Sequence, residues 1–175
     1  PLDTQSTCII AASREAKAYG IRTGTSVREA IAICPDIALP VARPDEYVRQ
    51  HHAILKELDR HLPVKKVWSI DEMEFELIGR ERREFMAIAD RMKRGLADAV
   101  GPYVTGSIGI ASNQFLAKIG AEMEKPDGLV VFHPETLPGR LLELGLKDLP
   151  GIASGMHKRL LAAGISSVEA LWSIS

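Results

Sequence analysis

The stretch Val64-Lys65-Lys66-Val67-Trp68-Ser69-Ile70-Asp71-Glu72-Met73-Glu74-Phe75-Glu76-Leu77 decides how this chain is read. Val64 to Ile70 is rich in β-branched and apolar residues. Met73, Phe75 and Leu77 then alternate with Glu74 and Glu76, the period-2 pattern of a half-buried strand. Adjacent residues on a straight strand point to opposite faces. Asp71 and Glu72 therefore serve one site only if the chain bends between the two runs, as at a hairpin tip. Two carboxylates there would suit a hard cation, because Mg²⁺ takes oxygen ligands, commonly one or two carboxylates plus substrate phosphates. The plainer alternative is that Glu72, Glu74 and Glu76 form a solvated strand face.

Downstream, Arg82 to Val100 reads as a helix with Phe85, Ile88, Ala89, Met92 and Leu96 inward, broken by Gly101-Pro102. Val104 to Ala111 is expected as a strand, Asn113 to Met123 as a helix, Pro126-Asp127-Gly128 as a turn and Leu129 to Phe132 as a strand. The order from residue 64 is β-β-α-β-α-β, which predicts an α+β fold with helices on one sheet face. A composition shift near His133-Pro134 opens a helical segment that suggests a small separate module. It comprises Leu137 to Leu144, Lys147-Asp148-Leu149, a break at Pro150-Gly151, Gly155 to Ala163, and Ser167 to Ser173.

Upstream, Cys8 to Ala12 reads as a buried strand. Ser13 is placed to cap a short helix through Tyr19 that Gly20 stops. Thr25-Ser26 precede a second helix that ends before Pro35. Asp45 to His61 is a longer amphipathic helix with Tyr47, Val48, Ile54, Leu55 and Leu58 as its inner face. The opening, a polar run leading into a buried strand, reads as a chain whose beginning was not included.

At 175 residues, with 46% hydrophobic and 26% charged content, the chain can bury a core as one domain plus an appendage. No apolar stretch reaches membrane-span length, so no membrane role is expected. Cys8 and Cys34 imply no disulfide framework and fit a reducing, cytoplasmic setting. A net charge of −1 means that any nucleic-acid role needs locally clustered basic groups.

Leu149-Pro150-Gly151-Ile152 followed by Leu160-Leu161-Ala162-Ala163-Gly164-Ile165 resembles a helix-hairpin-helix, with Ala153 where a second glycine is usual. In that motif backbone N–H groups at a Gly-rich turn and a helix start grip a nucleic-acid phosphate. Lys147, His157, Lys158 and Arg159 would add sequence-independent contacts. The alternative is a packing unit with solvated basic residues. Lys125, just before Pro126-Asp127-Gly128, either meets a triphosphate as a point charge or complements a helix dipole. His51-His52, His61, His133 and His157 do not converge on a metal, and Arg80 to Glu84 reads as a solvated helix start.

Ser69-Ile70-Asp71-Glu72, Ser107-Ile108-Gly109-Ile110-Ala111 with Asn113 and Ala117-Lys118, Lys125-Pro126-Asp127-Gly128, and Leu149-Pro150-Gly151-Ile152 occur in this order. Together they resemble the Y-family (translesion, DNA polymerase IV/UmuC-like) DNA polymerases. Glu15 to Gly24 resembles that family's fingers segment. The resemblance implies a palm-like antiparallel sheet with helices on one face, small helical fingers and a helix-hairpin-helix thumb. It divides the chain into residues 1–43 as fingers with a palm strand at the start, 44–133 as palm and 134–175 as a partial thumb. It implies Asp71 and Glu72 as catalytic ligands of two Mg²⁺ ions. Ser13, Arg14, Lys17 and Lys125 are then nucleotide-binding, and Gly151, Ile152, Gly155, Lys158 and Arg159 DNA-binding. The implied partners are primer-template DNA and dNTP, with a sliding clamp met through regions outside this sequence. The implied function is template-directed DNA synthesis in damage tolerance and the SOS response.

Three departures from the family pattern carry expectations. The first palm strand, with a third carboxylate and the residue that screens the sugar, is expected before Pro1. Arg14 stands where a tyrosine is usual, and Lys17 where an arginine is usual; a lysine cannot make arginine's planar bidentate contact. The domain that follows the thumb is not in the sequence. This piece alone is therefore expected to be inactive, though drawn from an active enzyme. The alternatives are a catalytically dead, DNA-binding accessory protein and a nucleotide cyclase, which needs neither the fingers segment nor the helix-hairpin-helix.

Overall fold

A computed structural model describes residues 7–174. Its helices are α1 (Arg14–Ala18), α2 (Val27–Ile33), α3 (Pro44–Asp59), α4 (Glu81–Ala99), α5 (Gln114–Met123), α6 (Ser154–Ala162) and α7 (Val168–Trp172). The strands are β1 (Val64–Val67), β2 (Met73–Phe75), β3 (Ile108–Ile110) and β4 (Leu129–Val131). The expected β-β-α-β-α-β order from residue 64 is present. Polar caps set several helix starts. Ser13, Ser26, Asn113 and Ser167 each accept from a backbone N–H in the first turn of the helix they open.

The chain divides into two compact units, one ending at Arg49 and the other beginning at Gln50. The first buries Ile9, Ile21, Val27 and Ala30. Cys8 to Ala12 is not a strand there. Cys8 makes a single antiparallel bridge to Ser26, and Ile9 exchanges backbone hydrogen bonds with Gly24 and Thr25, which are loop residues and offer no ladder to extend.

In the second unit the strands form two separate pairs among the described residues. β1 and β2 are antiparallel, with the register broken between Val64 and Lys66, whereas β3 and β4 are parallel. A single antiparallel sheet is thus not what forms. The physical reason for the second pair lies in its connection: α5 joins β3 to β4, and a helical crossover returns the chain in the same direction.

Two cores fill this unit. Leu62, Ile88 and Met92 pack with Leu58, Phe75 and Leu77, fixing α3 and α4 against β2. Leu116, Ile119, Val130 and Phe132 join Leu141, Leu146, Leu149 and Val168 in the other. Each large aliphatic side chain so buried contributes roughly 1.5–3 kcal/mol. The segment after His133 therefore shares a core with α5 and β4. Its first part, Gly139–Glu143 and Leu146–Asp148, forms 3-10 turns too short to enclose apolar side chains alone. The inner face of α3 is also shorter than expected: Tyr47 and Val48 are exposed, and burial begins only in the second half of the helix.

Candidate functional site

The register of β1 and β2 separates the acidic residues of the hairpin into two sets. Lys65, at the register break, lies 3.1 Å from Glu74 Oε1 and 3.5 Å from Glu76 Oε2. The Trp68 indole donates to Glu74 Oε2 at 2.9 Å, and the Lys66 ammonium sits 3.4 Å from the Trp68 ring centroid. The Trp68 hydrogen bond, then Lys65, holds the Glu74 carboxyl below its usual range against the opposing effect of burial. Glu74 and Glu76 are thus members of a cross-strand charge network.

Asp71 and Glu72 lie outside that network, on the connecting turn. The N–H groups of Trp68 and Ser69 donate to the Glu72 carbonyl at 2.9 and 3.3 Å, closing the turn. The Ser69 hydroxyl donates to Asp71 Oδ1 at 2.7 Å. Lys118, on α5, donates to Glu72 Oε1. His51 Nδ1, on α3, lies 2.7 Å from the Ile70 carbonyl oxygen, which as an acceptor requires the ring nitrogen to carry the proton. Two carboxylates at a turn, Asp71 exposed and Glu72 half-buried, suit a hard cation that keeps water and phosphate in its shell. Among the described residues no group of three or more His, Cys, Asp or Glu side chains converges.

Lys125 is elsewhere. Its ammonium pairs with Glu122 at 2.7 Å, and among the described residues it forms no ion pair with Asp71 or Glu72. The following turn is held to α4 by Lys93, which bonds the Asp127 carbonyl and lies 3.3 Å from Asp127 Oδ1. In the first unit, the Ser13 hydroxyl oxygen caps α1 by accepting from Ala16 N–H at 3.2 Å. Arg14 and Lys17 are exposed on that helix, three residues apart, with no ion pair among the described residues.

After Leu149 the chain turns into α6. Gly151 adopts φ +90°, and α6 begins after Ala153, which offers no side-chain cap. The N–H groups of Ser154, Gly155 and Met156 have no partner among the described residues, whereas the Ile152 N–H is spent on the Leu149 carbonyl at 3.1 Å. Gly155, Lys158 and Arg159 are exposed, and Ile152 packs into the adjoining core.

Sequence reasoning missed His51 and the role of Lys118. His51 had a readable signal: it lies three, four and seven residues before Ile54, Leu55 and Leu58, on the stripe that turns inward. Lys118 stands in the Ala117-Lys118 motif, but its contact with Glu72 spans 46 residues and no local pattern signals it.

The sequence model of the impB/mucB/samB family matches residues 2–122. The chain is 36% identical over 166 residues to DNA polymerase IV of Moorella thermoacetica, covering 93% of this chain and 41% of that protein. It is 34% identical over 158 residues to DNA polymerase IV of Pseudomonas aeruginosa, covering 87% and 44%. The chain thus spans less than half the length of these relatives. Among solved structures it is similar to an insertion ternary complex of Dbh DNA polymerase, with a TM-score of 0.86 at 27% identity, covering 98% of this chain and 50% of that one. It is also similar to DinB from Sulfolobus solfataricus, with a TM-score of 0.78 at 28% identity, covering 93% and 48%.

Proposed function

This chain belongs to the impB/mucB/samB family, and from that premise we propose that the full-length protein is a translesion DNA polymerase adding dNMP units to a primer 3′-hydroxyl. The observation that carries this reading is the division of the hairpin carboxylates. Lys65 and Trp68 engage Glu74 and Glu76, while Asp71 and Glu72 stand apart on the turn, Asp71 held by Ser69 and Glu72 by Lys118 of α5. Asp71 and Glu72 would hold the two Mg²⁺ ions, which when bound supply charge neutralisation to the triphosphate and acidify the primer hydroxyl. Ser69 orients the Asp71 carboxylate for that task.

Lys125 is assigned to the incoming triphosphate. Its partner Glu122 is no obstacle, because an exposed ion pair of this kind is worth only about 0–1 kcal/mol. Arg14 and Lys17, exposed and without an ion pair among the described residues, and the Ser13 hydroxyl, whose oxygen caps α1, are assigned to nucleotide contacts in the first unit. The unpartnered N–H groups at the start of α6 face a phosphate of primer-template DNA. Gly151 gives the turn its positive φ, Gly155 leaves the approach open, and Lys158 and Arg159 add charge. Ile152 anchors the turn in the core. In this reading residues 1–43, 44–133 and 134–175 serve as fingers, palm and thumb, and the free thiols of Cys8 and Cys34 accord with a cytoplasmic setting.

The test is primer extension by the full-length protein carrying Asp71→Asn and Glu72→Gln. Extension is expected to disappear while primer-template binding stays near wild type. Retained extension would refute the assignment.

A further inference from the structure

We propose that His51 is a positioning residue for the Asp71–Glu72 turn, holding its backbone in the place where a divalent cation is taken up. The proposal rests on the reading of those carboxylates as cation ligands.

The turn has few means of fixing itself. Its internal hydrogen bonds run from Trp68 and Ser69 to the Glu72 carbonyl and from the Ser69 hydroxyl to Asp71, and none of these reaches another element. Among the described residues two polar contacts come from outside. Lys118 holds the Glu72 carboxylate itself, so that contact competes with any cation for the same oxygen. His51 instead holds the Ile70 carbonyl, to which no backbone N–H donates among the described residues. It is the outside contact that cation binding leaves intact.

His51 is well placed to act as a fixed reference. It lies on the same helix as Leu58, whose side chain joins Leu62, Ile88, Met92 and Phe75 in the core that seats α3 on α4 and β2. Further along, Glu57 and His61 are hydrogen-bonded at 2.9 Å and lie against Gly95 of α4, where a β-carbon would come within 2.5 Å of Glu57 Oε1. The helix carrying His51 is thus seated by apolar packing and by a close polar approach. One hydrogen bond from it places Ile70, the residue next to Asp71. The bond to a carbonyl is available to the neutral Nδ1–H tautomer and to the imidazolium alike, so it does not depend on the charge of the ring.

The test measures Mn²⁺ affinity and Tm of the full-length protein, with bound Mn²⁺ read by electron paramagnetic resonance. His51→Phe keeps a ring but removes the donor, and His51→Asn restores an N–H close to the Nδ1 position. A turn released in His51→Phe must be ordered again when the cation binds, a cost of up to about one net hydrogen bond, so Mn²⁺ binding is expected to weaken roughly three- to ten-fold. His51→Asn is expected to match wild type in affinity and in Tm, and any fall in the Tm of His51→Phe to accompany its loss of affinity rather than replace it. Wild-type affinity in His51→Phe, with Asp71→Asn losing Mn²⁺, would overturn the role of His51 and leave the site standing. Unchanged binding in Asp71→Asn would overturn the site and the proposal with it. A lowered Tm in His51→Phe with unchanged affinity in the folded protein would make the contact purely structural, and the proposal would fall.

Discussion

A β-carbon placed on Gly109 of β3 would stand 1.8 Å from the Ala117 carbonyl oxygen of α5. It would also lie 2.5 Å from the Ala121 nitrogen, so strand and helix touch backbone to backbone. Gly109→Ala must push α5 off the sheet, and overpacking of this kind costs about 3 kcal/mol. Gly95 is a contrasting case. The atoms crowding it are the ends of the Glu57 and His61 side chains, and alanine gains about 1 kcal/mol of helix propensity there. Urea denaturation should rank Gly109→Ala well below Gly95→Ala in stability; the reverse order would contradict the close approach.

Asn113 links the same two elements. Its Oδ1 accepts from Leu116 N–H at 2.9 Å as the cap of α5. Asn113→Ala should cost about 1 kcal/mol in chemical denaturation, and Asn113→Ser should recover most of it. Equal losses in the two variants would show that the cap is not the cause.

Acid sensitivity follows from the glutamates. The Glu57 carboxyl is held below its ordinary value of 4.5 by the His61 hydrogen bond first and by Arg60 as well, with burial opposing. Glu15, Glu46 and Glu74 shift in the same direction. A folded-state pKa below the unfolded one gives stability that is present above 4.5 and is lost as pH falls through the folded value. Stability measured from pH 5 down to about pH 3 should therefore fall less steeply in Glu57→Gln than in wild type. Identical slopes would remove Glu57 from the account.

Lys158 and Arg159 should act through charge alone. In the full-length protein, Lys158→Ala with Arg159→Ala should weaken primer-template binding evenly across sequences. The slope of log K against log salt should flatten by about 2. A loss confined to particular sequences would mean that these residues read bases.

The local grammar of the chain was legible because it depends on neighbours in sequence. Ser13, Ser26 and Asn113 stand where caps belong, and Ile88, Ala89, Met92 and Leu96 lie on one face of α4, as their spacing requires. The residues of the turn were legible too, since Asp71-Glu72 interrupts an alternating pattern. What periodicity does not encode is pairing between distant segments. Strand direction depended on the α5 crossover, and the first strand was misread because Cys8 to Ala12 finds only a loop to bond. The spacing of His51 shows the inward side of its helix, but not the carbonyl that it meets 19 residues on.

The core shared by Leu116, Ile119, Val130 and Phe132 with Leu141, Leu146, Leu149 and Val168 has a mechanical consequence. The hairpin at Gly151 is rooted in β4 and α5 rather than tethered by a swivel. Tension applied to it, as by a strand of nucleic acid drawn across α6, would pass into the sheet with little slack. The segment would behave as a cantilever, and what α6 feels would register at the far end of its own support.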